Sequence, residues 1–153
     1  MVRQLLAAVN SAPERTIIIN IQGDQPFLDP ALIDAIATSF IARQPNPEVL
    51  TPIYRLSAEQ LHNHNVVKVL LAADGRGLFS PLGPAPCARC ADVLLRWPQL
   101  PISPLEELEK LEQLRLIEAG IRIDALEVEG GQFSVDTPEQ QEQARAMTTG
   151  RSW

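Results

Sequence analysis

The sequence predicts an α/β fold with a mainly parallel sheet flanked by helices. Three observations carry this expectation. Thr16-Ile17-Ile18-Ile19-Asn20-Ile21 is a β-branched run with little alternation, the pattern of a strand buried on both faces. Strand-like runs of this kind alternate with amphipathic helical stretches along the chain. Capping residues followed by proline, Asp29-Pro30 and Thr137-Pro138, open two of those helices.

The elements follow in order. Val2, Leu5, Leu6 and Val9 have helical spacing, so residues 2–12 predict a short helix ended by Ser11-Ala12-Pro13. The strand at 16–21 comes next, and Gln22-Gly23-Asp24-Gln25-Pro26 lies at its carboxyl end. Leu32, Ile33, Ile36, Ala37 and Phe40 mark a second helix, closed by Pro45 and Pro47. Strands are expected over 48–56 and 66–71, with a turn at Asp74-Gly75-Arg76-Gly77. Residues 104–119 predict one continuous helix stopped by Gly120, and 121–128 a further strand. Thr137-Pro138-Glu139-Gln140 has the capping-box pattern of a last helix. Residues 81–92 show no period of 2 or 3.6 and hold several prolines and both cysteines, so they are expected to be an irregular surface loop. A redox or metal role for Cys87 and Cys90 is the alternative, but two cysteines are only half a zinc site.

At 153 residues the chain is long enough for one core and short for two, so residues 1–153 are expected to form a single α/β domain. A net charge of −6 argues against nucleic acid as a partner, because phosphate-backbone binding needs a basic stripe. A small phosphorylated ligand needs only a local site and stays open. No apolar run reaches the roughly 18–20 residues of a membrane span, and the first residues have no signal-peptide core. The expectation is a cytoplasmic protein with no membrane partner.

Several groups are candidates for chemistry. Asp24 lies beyond a strand's carboxyl end, where α/β sheets bind ligands, after a glycine that lets backbone approach closely. It suits Mg²⁺, which takes one or two carboxylates plus waters and phosphates; the alternative is a plain Gly-Asp turn. Asp136 could join it, or could simply start the helix at Pro138. On a continuous helix Glu106, Glu109 and Gln113 share a face with Glu112 at its margin, which reads as a solvated face or, because the leucines wrap much of the circumference, a partly enclosed one. His62 and His64 read as loop residues. Lys68 reads as an edge lysine with its amine in water, or as a phosphate contact. No Ser/His/Asp set, Gly-rich phosphate loop or dinucleotide fingerprint is present, and no catalytic acid, base or nucleophile is assigned.

Taken in order, the segments resemble the 3-deoxy-manno-octulosonate cytidylyltransferases, or CMP-Kdo synthetases. The resemblance rests on Asn20-Ile21-Gln22-Gly23-Asp24-Gln25-Pro26, Asn65-Val66-Val67-Lys68-Val69 and Leu78-Phe79-Ser80. It continues through Ser103-Pro104-Leu105-Glu106, Glu109 and Leu111-Glu112-Gln113-Leu114-Arg115, and closes with Val135-Asp136-Thr137-Pro138-Glu139. It covers most of residues 2–147 and leaves 81–96 as an irregular, unmatched segment.

The resemblance implies a partial Rossmann-like nucleotidyltransferase fold. It implies transfer of CMP from CTP to Kdo, giving CMP-Kdo and pyrophosphate for lipopolysaccharide biosynthesis. Asp24 and Asp136 would hold Mg²⁺, and Gln22, Glu112 and Gln113 would contact the sugar. It also implies a homodimer or self-associating chain. The family's basic loop, of the type R-x-x-S-x-R-x-P-G-K-P, has no counterpart here, so the expected member is an N-terminally truncated, internally shortened fragment. A non-catalytic remnant that persists as a binding or dimerisation module of the same fold is the alternative.

Overall fold

A computed structural model describes residues 2–8, 10–13, 16–21, 25–43, 47–62, 68–79, 87–109, 111, 113–130, 135 and 137–148. The elements run in the order α1 (Val2–Ala8), β1 (Ile17–Asn20), α2 (Pro30–Ala42), β2 (Val49–Ile53), α3 (Ala58–Leu61), β3 (Leu70–Leu71), β4 (Gly77–Phe79), β5 (Cys87–Cys90), α4 (Ala91–Arg96), α5 (Pro104–Glu109), α6 (Gln113–Glu118), β6 (Ile123–Glu127) and α7 (Pro138–Thr148).

The main sheet has four strands in the order β1-β5-β2-β6. β5 is antiparallel to both β1 and β2, and β2 is parallel to β6. The sheet is therefore mixed where a mainly parallel one was expected: β1, β2 and β6 share one direction, but β5 lies between β1 and β2 and makes two of the three pairings antiparallel. The β-branched run at Ile17–Asn20 becomes a strand because both its faces are covered: Ile17 and Ile19 pack toward α2, and Ile18 is the register partner of Arg89 on the other side.

α2 closes the first face. Asp29 accepts a hydrogen bond from the Ala31 amide at 2.9 Å, and Pro30 follows at the first helical position, so the predicted cap forms as expected. Leu32, Ile36 and Phe40 then meet Leu50 and Ala88. The opposite face is covered by α4, the short 3-10 turn Trp97–Gln99 and α6, whose Val93 and Leu116 pack with Val49, Ile121 and Ile123. A sheet between two helical layers buries a row of side chains on each face, which explains why its strands lack clean alternation.

Residues 87–96 correct the expectation of an irregular segment. Cys87–Cys90 is a strand paired on both sides, and Ala91–Arg96 is helical. Ala88 is completely buried, so this stretch lies inside the molecule and is no surface loop. Small residues with weak strand preference take the extended form here because two neighbours supply their backbone partners. Residues 81–86 lie outside the described residues.

The helix predicted over 104–119 is two helices, α5 and α6. Ser103 Oγ accepts from the Glu106 amide at 3.1 Å, and Arg115 donates two 2.6 Å hydrogen bonds to the Glu106 carboxylate. In one continuous helix, residues nine apart would stand about 13.5 Å along the axis and on opposite faces. The bidentate pair therefore requires the break. Gly120 ends α6 as expected: its φ is +75°, and the Gly120 and Ile121 amides donate to the Ile117 and Leu116 carbonyls, the paired bonds of a Schellman motif.

Of the strand predicted over 66–71, residues 68 and 69 have no regular secondary structure and Leu70–Leu71 pairs with β4; residues 66 and 67 lie outside the described residues. Among the described residues no helix is long and apolar enough to cross a membrane.

Candidate active site

Strand direction locates the site. β1, β2 and β6 point the same way, so the chain leaves each of them at a single edge, at Ile21, Tyr54 and Val128. β5 enters from that edge, since Cys87 pairs with Asn20. Open α/β sheets bind ligands at such an edge because several loops meet there above fixed strand ends.

The segment carrying Gln22 and Asp24 follows β1, and the segment leading to Asp136 follows β6. The described chain leaves β1 at Ile21 and β6 at Val128, both at that edge of the sheet. β1 and β6 hold its two outer positions, which at three strand spacings are about 14 Å apart. Gln22, Asp24, Glu112 and Asp136 themselves lie outside the described residues.

Their described neighbours carry structure. Gln25, next to Asp24, is buried with a relative exposure of 6%. Beside Asp136, the helix-starting role is taken by Thr137. Its Oγ1 accepts from the Gln140 amide at 3.3 Å, and Gln140 Oε1 accepts from the Thr137 amide at 3.0 Å, so the predicted capping box forms.

Gln113 opens α6 on the face opposite α2. Its Oε1 is buried without a hydrogen-bond partner among the described residues. A buried amide oxygen left unpaired is costly, and it marks where a polar group is expected to dock. The shared face predicted for Glu106, Glu109 and Gln113 does not form, because the helix breaks between them. Glu109 is exposed, while Glu106 is committed to Arg115. The Arg115 hydrogen bonds hold the Glu106 carboxyl below the ordinary carboxylate range, helped by the charge of Arg115 and the Ser103 contact. Ser103, Glu106 and Arg115 in this motif therefore brace α5 against α6, and Gln113 is its described member with a buried, unpaired oxygen.

The remaining candidates separate. His62 is an exposed residue ending α3, and His64 lies outside the described residues. Lys68 is half-buried just ahead of β3. Cys87 and Cys90 stand three residues apart on one strand, so their Cα atoms are about 10 Å apart, beyond disulfide reach. Cys90 donates to the Pro13 carbonyl at 3.5 Å. Among the described residues no group of three or more His, Cys, Asp or Glu converges as a metal centre. A cleft of about 10 Å³ between Thr51, Val69, Gly77, Ile117 and Ile123 holds at most one water.

Arg89 was not singled out by its sequence, where it is one arginine between cysteines and alanines. It is buried at 7% exposure, with its guanidinium 4.8 Å from the centroid of the Trp97 ring. The only sequence signal is a lone cation within a stretch of small residues.

An α/β sheet with its loops gathered at one strand edge is the architecture of a nucleotidyltransferase, and a cytidylyltransferase family model matches residues 1–96. That match runs through β5 and α4, the segment left unassigned by motif. The chain is 40% identical to the 3-deoxy-manno-octulosonate cytidylyltransferase of Acidobacterium capsulatum, over 80% of this chain and 56% of that protein. It is 34% identical to the enzyme of that name from Chlorobaculum parvum, over 86% of this chain and 61% of the relative. It superposes on the structure of CMP:2-keto-3-deoxy-manno-octonic acid synthetase complexed with CTP with a TM-score of 0.79 and 30% identity, covering 97% of this chain and 68% of that one. The chain belongs to the 3-deoxy-manno-octulosonate cytidylyltransferase family. It spans about three fifths of the length of the curated relatives it matches.

Proposed function

We propose that the chain serves the transfer of CMP from CTP to Kdo, releasing pyrophosphate and supplying activated Kdo for lipopolysaccharide biosynthesis. The observation that carries this reading is the superposition on the CTP-bound synthetase across 97% of the chain. Two details support it: β1 and β6, which precede Asp24 and Asp136 in the sequence, end at the same sheet edge, and the Gln113 amide oxygen is buried without a partner among the described residues.

The donor set suits Mg²⁺, because two carboxylates beyond parallel strand ends leave positions for waters and phosphate oxygens. Asp24 and Asp136 would hold the ion. Bound there, it would neutralise phosphate charge and orient the attacking and leaving oxygens. Gln22, Glu112 and Gln113 would contact the sugar. For Gln113 the contact is a hydrogen bond accepted by Oε1 from a sugar hydroxyl. These contacts would hold the anomeric hydroxyl in line with the α-phosphorus, and positioning of this kind is the main protein contribution to phosphoryl-type transfer.

Self-association belongs to the same reading. It is supported by exposed apolar side chains such as Leu70 at 61% and Leu108 at 74%, and by β1 standing at the edge of the main sheet among the described residues. Sedimentation equilibrium is expected to show a species heavier than the 16.9 kDa chain.

Pyrophosphate release from CTP and Kdo with Mg²⁺ tests the function. Turnover is expected, and Asp24→Asn is expected to lower it by about 100-fold or more through loss of metal-borne charge stabilisation. A chain that binds neither CTP nor Kdo and releases no pyrophosphate would leave the non-catalytic module as the better reading.

A further inference from the structure

α6 is six residues long, too short to hold a fixed orientation by its own hydrogen bonds. Leu116 is fully buried and packs with Val49, Val93, Ile121 and Ile123 over the sheet, and Ile117 packs against the same group. At about 100° per residue, Gln113 falls between Leu116 and Ile117 on the helix surface, and Arg115 falls on the opposite side. The sheet-facing side of α6 thus carries the buried, unpaired Gln113 Oε1. The outer side carries the guanidinium that holds Glu106.

The inner contacts are apolar, and apolar packing is non-directional. The outer contact is directional, because two 2.6 Å hydrogen bonds between a planar guanidinium and a carboxylate fix an orientation as well as a distance. Glu106 is itself held: its amide donates to Ser103 Oγ at 3.1 Å, and Ser103 is buried. Ser103, Glu106 and Arg115 therefore link the start of α5 to the middle of α6 and set the roll of α6 about its axis. A side-chain atom stands roughly 5 Å from a helix axis, so about 20° of roll moves it by roughly 2 Å. Hydrogen bonds tolerate only a few tenths of an ångström. An amide oxygen released by that much no longer meets the same donor.

We propose that Glu106 and Arg115 are positioning residues, whose ion pair aims the Gln113 amide at the sugar and so sets affinity for the sugar acid without touching it. This deepens the proposed function and rests on it for the identity of the ligand. A pair that only braced the fold would add stability and leave the affinity of the folded protein for either substrate unchanged.

The test is calorimetric titration of the full chain with Kdo, and separately with CTP and Mg²⁺, at a temperature where every variant is folded. The proteins are the parent, Glu106→Gln, Arg115→Lys, Gln113→Ala, and Gln113→Ala combined with Arg115→Lys. Glu106→Gln and Arg115→Lys weaken the pair from opposite helices with little change of volume. Each is expected to weaken Kdo by about 3–10-fold, the worth of one neutral hydrogen bond, and to leave CTP within about twofold of the parent. Gln113→Ala is expected to weaken Kdo by a similar factor. Adding Arg115→Lys to Gln113→Ala is expected to change Kdo binding by less than about twofold, because the oxygen to be aimed is gone. Parent-like Kdo binding by both Glu106→Gln and Arg115→Lys would overturn the proposal. So would equal weakening of Kdo and CTP, or a loss from Arg115→Lys that persists in full without Gln113, since these are the marks of a general structural role. A parent that binds no Kdo refutes the proposed function and the positioning role with it, a result separate from the others because it is read on the unsubstituted chain.

Discussion

A carboxylate and a guanidinium nine positions apart settle the shape of the Ser103–Arg115 motif. Glu106 and Arg115 are both mostly shielded, at 14% and 17% side-chain exposure, and join at 2.6 Å. The Glu106 carboxyl titrates below its ordinary 4.5 in the folded chain. The ion pair therefore contributes fully above that pH and is lost as pH falls through the depressed value. Glu106→Gln is expected to lower the melting temperature by a constant amount from neutral pH down to about 4.5, with the gap to the parent narrowing below it. A melting series across pH 3–7 checks this, and a gap that widens in acid would contradict it. The same residues show the limit of reading a helical wheel. Glu106, Glu109 and Gln113 share a face only on an unbroken helix, and the bond that breaks the helix joins residues whose spacing gives no local sign of contact.

At the level of elements, local chemistry was legible wherever the signal was itself local. The Asp29-Pro30 start of α2, the Gly120 stop of α6 and the Thr137–Gln140 capping box all form as their residues predict. α2 shows how the stripe turns into stability. Ile36 is fully buried in it, while Ile41 is 65% exposed. Ile36→Ala is expected to cost about 2–5 kcal/mol, the transfer term plus the cavity. Ile41→Ala is expected to stay within about 0.5 kcal/mol. Urea unfolding midpoints of the two variants, compared with the parent, check the contrast. β5 was not legible, because nothing in Cys-Ala-Arg-Cys favours a strand on its own. Its conformation comes from two partners distant in sequence, and no local pattern records them.

For the whole molecule, the sheet order decides what the site can be. The fold class was readable from the alternation of strand-like and helical runs, and the family from motifs lying mostly at the ends of those runs. The position of Arg89 was not, because it follows from β5 lying between β1 and β2. That arrangement has a direct test. Ala88 sits fully buried under α2, so Ala88→Leu is expected to destabilise the chain by about 1–3 kcal/mol through overpacking. The same change in a surface loop would be neutral, and a neutral result in a denaturation curve would remove β5 from the sheet.

The opposed central strand also has a consequence for biogenesis. β1 and β2 are made in the first half of the chain, yet neither pairs with the other; the segment that bridges them is made in the second half. When those two strands have emerged, β5, the described strand that joins them, is still to come. The sheet can close only after residue 90 has emerged, and after residue 123 for its last member. Such late, long-range closure puts refolding on the slow side for a chain of this size, and nascent chains must be shielded from one another until the bridge arrives.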